Sequence, residues 1–230
     1  MFKSLRSLAA GAVLAVTLTS AAHATSEDLQ KVQALLFDAK HIVNLANGTE
    51  LTYKFERIPT NEKLLGLAFS DDYKLKIEGD GAAGKKNAVI NIFSGDRARD
   101  PQRMADIDGN PMLLVYLDTA VGHFQQLVGG DRLYFQSKFR KCMKEDAKLE
   151  PVKIAYKGQD VEGFRVTVTP FTDDQTRAKM RGFETAVFSI VVSDKIPGQF
   201  AQMISNYTNT QKDAPTLVEK TTLDGVGDVK

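Results

Sequence analysis

The sequence predicts an α+β fold, in which a strongly curved antiparallel β-sheet wraps over a few helices; closure of that sheet into a barrel, which would remove its exposed edges, stays open at this point. Two observations carry this. In Leu51-Thr52-Tyr53-Lys54-Phe55-Glu56 and in Tyr73-Lys74-Leu75-Lys76-Ile77-Glu78 large apolar side chains recur at every second position, the period of a strand with one dry and one wet face. The helical period is concentrated in an early segment and in a central pair. A parallel α/β sheet, the alternative, needs regular strand–helix alternation and continuous apolar strands, and the chain has neither.

The first element is an address. Lys3 and Arg6 form a basic stretch, an apolar run extends from Leu8 to Leu18, and Ala22-His23-Ala24 gives the small-x-small pattern before a cut, so residues 1–24 are expected to be a cleaved signal peptide. The run is short of the ~20 residues that span a bilayer, which disfavours the alternative of an uncleaved anchor. Cleavage leaves 206 residues and removes two of the 30 basic residues, so 28 face 29 acidic ones and the net charge becomes −1. No Cys follows the cut to carry a lipid. The expected product is a soluble periplasmic protein, with residues 25–222 one α+β domain and residues 223–230 a flexible tail.

Leu29, Val32, Leu36, Ala39 and Val43 recur at spacings of three and four, predicting a helix over Glu27–Val43 capped by Ser26. Asn47-Gly48 ends it. The two alternating strands follow, separated by an ambiguous stretch, Pro59–Asp72, that reads as loop with a short strand at Leu65–Phe69. Gly79 to Lys86 is a turn. Its Gly79-x-Gly81-x-x-Gly84 spacing matches a dinucleotide fingerprint by count, but strand follows where that motif requires a helix. Asn87–Ser94 is a third strand, and Asp96–Arg103 reads as an exposed loop.

Asp108-Gly109-Asn110-Pro111 is a turn, with Pro111 suited to open a helix. Met112–Val128 has an apolar arc wide enough for a largely buried helix, closed by Gly129-Gly130. Asp131 caps a second helix to about Asp146, with Phe135, Phe139, Cys142 and Met143 along one stripe. Val152–Tyr156 and Val161–Pro170 form a hairpin around Lys157-Gly158-Gln159-Asp160. Phe183–Ser193 is the most β-rich stretch. Phe200–Tyr207 is expected to be a short helix and Leu217–Val226 a last strand, for six or seven strands in all.

Composition excludes several function classes. With one Cys there is no internal disulfide framework and no thiolate metal cluster. Near-balanced charge without interleaved stacking aromatics argues against nucleic acid as a partner. No His-Glu-x-x-His, paired-cysteine site or Gly-x-Ser-x-Gly occurs, so the sequence names no catalytic residue, metal ligand or cofactor. His41, with Asp38 three residues before it, and His123 remain as the histidines of a hydrolase reading, beside unassigned carboxylates. Cys142 reads as a core thiol, with an intermolecular disulfide as the alternative. Arg132, Lys138, Arg140, Lys141 and Lys144 make a basic helix surface, which is either a solvated face or a contact for anionic lipid or an acidic partner.

Thirteen Phe and six Tyr are the remaining lead. Tyr53, Phe55, Tyr73, Phe93, Tyr156, Phe164, Phe183 and Phe188 fall on predicted strand faces. They read either as ordinary core or as the apolar face of an incompletely filled concave sheet, a candidate ligand face.

The layout resembles the lipoprotein-carrier-like (LolA-like) superfamily of periplasmic unclosed β-barrels. The signal peptide, the early helix, the strands at Leu51–Phe55, Tyr73–Ile77 and Asn87–Phe93, the helical middle, and the strand Phe183–Val192 running into Ser193-Asp194-Lys195-Ile196-Pro197-Gly198 carry the resemblance. It covers about 170 residues. It implies a concavity that holds acyl chains or other apolar ligands, with lipid or lipoprotein and transient membrane or envelope-protein contacts as partners. The cavity Arg of the lipoprotein carriers has no counterpart that can be placed here. Three functions therefore stand as expectations: a periplasmic binder or carrier of a hydrophobic or amphiphilic ligand, a non-catalytic envelope scaffold or interaction module, and a carboxylate- or histidine-dependent hydrolase. Oligomeric state is not legible in the sequence.

Overall fold

The computed structural model describes residues 25–230, so the expected signal peptide lies outside the described residues. Ten antiparallel strands form one curved, unclosed sheet: β1 (Glu50–Pro59), β2 (Phe69–Asp80), β3 (Lys86–Ile92), β4 (Gln102–Ile107), β5 (Lys148–Tyr156), β6 (Gln159–Val168), β7 (Val187–Val192), β8 (Phe200–Tyr207), β9 (Leu217–Leu223) and β10 (Val226–Val229). Their order is β10-β5-β6-β7-β8-β9-β1-β2-β3-β4. The helices are α1 (Ser26–Gln33), a single-turn α2 (Glu62–Leu65), α3 (Met112–Val128) and α4 (Arg132–Glu145).

This order dictates where the helices go. The chain leaves the sheet at one edge, β4, and re-enters beside the other, at β5. Between them only α3 and α4 are available, so the pair must cross a face of the sheet. α3 is bound to that face by polar contacts with its backbone: Tyr116 Oη donates to the Ile204 carbonyl at 2.7 Å, and Tyr207 Oη of β8 donates to the Ala120 carbonyl at 3.1 Å. Phe124 of α3 stacks on Phe171 with centroids 3.9 Å apart, and Phe139 of α4 meets Phe188 of β7 at 4.4 Å. All four rings are buried, each worth about 1.5–3 kcal/mol in area removed from water.

Period two is realised in β1, where Leu51, Tyr53 and Phe55 are buried and their neighbours are not. α3 and α4 occupy the predicted ranges, and the Asp131 carboxylate accepts from the Leu133 N–H at 2.8 Å as a cap. The β5–β6 turn has Lys157 and Gly158 at positive φ, the geometry of a two-residue hairpin.

Several elements differ from expectation. α1 is capped by Thr25, whose hydroxyl accepts from the Asp28 N–H while Asp28 accepts from the Thr25 N–H. It passes into one π-helical turn and ends at Asp38, short of Val43. Tertiary bonds replace the missing helix: His41 Nε2 donates to the Leu35 carbonyl at 2.8 Å and the Ile42 N–H to the Asp108 carbonyl at 3.2 Å. The expected short strand at Leu65–Phe69 does not form: Leu65 ends the short helix α2, which Asn61 caps, and Phe69 already opens β2. β4 was not expected, because an exposed edge strand needs no apolar alternation. Phe183 precedes its strand, in a 3-10 turn entered through Gly182 at φ +89°. Phe200–Tyr207 is not a helix: it is β8, paired on both sides, with Ala201, Met203, Ser205 and Tyr207 buried in alternation. The expected tail instead forms β10 after a turn at Gly225, and Lys153 and Lys230 exchange backbone hydrogen bonds at 2.8 and 2.9 Å.

Candidate functional site

The helical pair leaves a groove between itself and the β3–β4 edge. The groove has a volume of about 730 Å³. Its inner apolar side chains include Ile92 of β3, Met104 of β4, Leu117 and Val121 of α3, and Phe139 and Met143 of α4. Ile92, Val121, Phe139 and Met143 are buried and form its floor. Phe37 and Leu114 also line it yet are 41% and 62% exposed, which places them at its mouth. Polar side chains edge it: Gln33, Gln102 and Gln136, the cations Arg99, Arg140 and Lys144, and Asp118 with Thr119. Helical spacing explains the division on α4. Phe139 and Met143 are one turn apart on an inward stripe, and Gln136, Arg140 and Lys144 repeat every four residues beside it.

None of the eight aromatic residues singled out from the sequence lines this groove. The structure brings Phe55, Tyr73 and Phe93 together with Phe69, at centroid distances of 5.0–5.6 Å. Phe55 and Tyr73 face a space of only about 10 Å³, enough for about one water. Tyr53 is buried, its hydroxyl accepting from Asn110 Nδ2 at 2.9 Å, and burial pushes its pKa well above the ordinary phenol value. Phe188 touches the groove only through Phe139, and Phe183 is buried in its turn. Tyr156 and Phe164 stand apart, covered by the ammonium groups of Lys157 and Lys31 at 5.4 and 3.8 Å.

The residues that do line the groove were partly visible. The apolar arc of α3, wide enough to include Leu114 and Leu117, exceeds what one packing face requires. Arg99, Gln102 and Met104 carry no comparable signal, since they belong to an edge strand and the loop before it.

The titratable candidates have structural partners. His41 is held as a neutral ring, with Nε2 donating to Leu35 and Nδ1 accepting from the Asn110 N–H at 3.2 Å. Burial lowers its pKa, against the opposing effects of the Leu35 carbonyl and Asp108. His123 Nδ1 lies 2.6 Å from Glu219 Oε2, and Arg57 binds the other carboxylate oxygen. The two histidines share no partner, and neither lines the groove. Among the described residues no group of three or more His, Cys, Asp or Glu gathers in metal-binding geometry. Cys142 is a free, buried thiol whose pKa burial pushes up to about 11. Such a thiol is a poor nucleophile and is shielded from a second chain.

The chain is similar, over 89% of its length and 97% of the other, to the crystal structure of the Mycobacterium tuberculosis lipoprotein LppX, at 12% identity and a TM-score of 0.34. It is also similar to a LolA superfamily protein from Nitrosomonas europaea, at 9% identity and a TM-score of 0.19, covering 86% of this chain and 92% of that one. Both likenesses are of fold. No family model and no curated protein matches the sequence.

Proposed function

We propose that the chain is an exported periplasmic protein that binds or carries a hydrophobic or amphiphilic molecule in the groove between α3, α4 and the β3–β4 edge. The observation that carries this is the groove itself: about 730 Å³ with an apolar floor, within the ~300–1,000 Å³ of small-molecule sites. Phe37 and Leu114 at the mouth support it, because a large apolar side chain kept in water beside an apolar cavity gains area burial when that cavity fills. Export rests on the sequence of residues 1–24. The hydrolase reading has no support in the groove, where among the described residues no histidine stands and the one carboxylate, Asp118, is paired with Arg132.

Lipid mass spectrometry on protein purified from the periplasm, followed by titration with a fluorescent fatty-acid probe, tests the proposal. A co-purifying amphiphile, or saturable uptake of one probe per chain, is expected. Protein that is clean and takes up no probe overturns it. A second reading, an envelope interaction module, is favoured by the exposed Ile58, Leu64 and Leu67 along the β1–β2 connection, and a partner bound there with the groove empty would replace the first.

A further inference from the structure

Resting on that reading, we infer that the groove selects an amphiphile with an anionic head group, carboxylate or phosphate, bound by Arg99, Arg140 and Lys144. The argument is one of which charges are already neutralised. α4 carries five basic residues. Arg132 is paired with Asp118, Lys138 with Asp174 at 2.7 Å, and Lys141 with Glu145 at 3.7 Å. Arg140 and Lys144 have no carboxylate within 4.0 Å among the described residues, and these two are the ones that line the groove. They stand one helical turn apart, a like-charge pair that repels itself until an anion lies between. The helix dipole accounts for Lys144 in the last turn but not for Arg140.

The other wall supplies the third cation. Arg99, from the loop before β4, lines the same groove without an acidic partner among the described residues, and its guanidinium stands 5.7 Å from the centre of the Phe93 ring. Cations therefore flank the groove from α4 and from the β3–β4 connection, while its acid, Asp118, is held by Arg132. An apolar floor with net positive charge at its edge complements a molecule with an apolar chain and a negative end. Two guanidinium groups and an ammonium suit carboxylate and phosphate oxygens alike, through charge-assisted hydrogen bonds.

The test compares four molecules with one sixteen-carbon chain and different heads, below their micellar concentrations: hexadecanoate, hexadecyl phosphate, hexadecanol and hexadecylammonium. Each displaces a fluorescent fatty-acid probe from the full mature chain. The two anions are expected to bind about tenfold more tightly than the alcohol, the order for three partly exposed charge contacts, and the ammonium more weakly still. Their mutual ratio tells carboxylate from phosphate. Salt is expected to shrink the advantage. The triple variant Arg99→Gln, Arg140→Gln, Lys144→Gln should bring the anions to the level of the alcohol measured on that same variant. Equal binding of alcohol and anions, or an anion preference that survives the triple variant, overturns the inference while the binding reading stands. Failure of all four to displace the probe or to bind directly overturns both.

Discussion

His123 Nδ1 on α3 and Glu219 Oε2 on β9 are 2.6 Å apart, and they fasten the central helix to the middle of the sheet. Glu219 is 3% exposed, and its second oxygen is taken by Arg57 of β1. Arg57 in turn donates to the Leu65 carbonyl at 2.6 Å, tying α2 into the same unit. One buried carboxylate thus joins four elements.

Removing that carboxylate leaves a largely buried guanidinium uncompensated. Glu219→Ala is expected to lower stability by about 3 kcal/mol or more, read as a lower urea midpoint at unchanged slope. Arg57→Ala acts on the same carboxylate, so the double variant should cost less than the two single losses combined. Additive losses would show that the pair is not coupled.

Asn110 is a second junction. Its Nδ2 donates to the Gly198 carbonyl at 2.7 Å and to Tyr53 Oη, its N–H to His41, and its Oδ1 accepts from the Met112 N–H at 3.0 Å. Gly198 has φ +70°, and a Cβ there would lie 2.5 Å from Leu51 Cδ1, so the turn needs both residues. Asn110→Ala strands buried polar groups and is expected to cost about 2–3 kcal/mol. An unchanged thermal midpoint would contradict this.

Asp174 gives a pH dependence. Burial pushes its carboxyl up, but Lys138 Nζ, Tyr134 Oη and the Thr176 hydroxyl and N–H, each at 2.7 Å, outweigh it and hold the pKa well below the ordinary carboxylate range. As pH falls through roughly 4 the unfolded chain takes up the proton first. The stability from this cluster is therefore complete above about pH 5 and drains below pH 4. The difference in thermal midpoint between the natural chain and Asp174→Asn should be constant from pH 5 to 8 and narrow in acid. A difference that widens in acid would reverse the assignment.

Cys142 should resist maleimide at pH 8 in the folded protein and react promptly in denaturant, since it is buried and its pKa is raised to about 11 and only the thiolate attacks. Rapid labelling of folded protein would show that α4 opens readily.

The sequence made the dry face of the sheet legible because large residues mark it: Leu51, Tyr53 and Phe55, then Tyr73, Leu75 and Ile77. Where small residues carry the alternation it was hidden. β8 buries Ala201 and Ser205 in alternation with Met203 and Tyr207, and its apolar residues alone mimic a helical spacing. β4 and β10 are edges held by backbone hydrogen bonds, which any sequence can make. The groove was illegible for a different reason. Alternation shows which side chains point inward, but whether inward side chains meet depends on how two helices cross the sheet. The aromatic faces were therefore visible as residues, but alternation alone did not decide between core and ligand face, and the groove lined by Met104, Leu117 and Met143 had no sequence signal of its own.

The most direct measurement places a reporter in the groove. The chain has no Trp, so the Leu117→Trp variant carries its single tryptophan, excited apart from the tyrosines, on a groove wall, and the Leu64→Trp variant carries it on exposed α2 outside the groove. Titration with a fatty acid brominated along its chain should quench the Leu117→Trp variant saturably, at one ligand per chain, and leave the Leu64→Trp variant bright. Equal quenching of both variants, or of neither, would contradict a ligand held between α3, α4 and the β3–β4 edge.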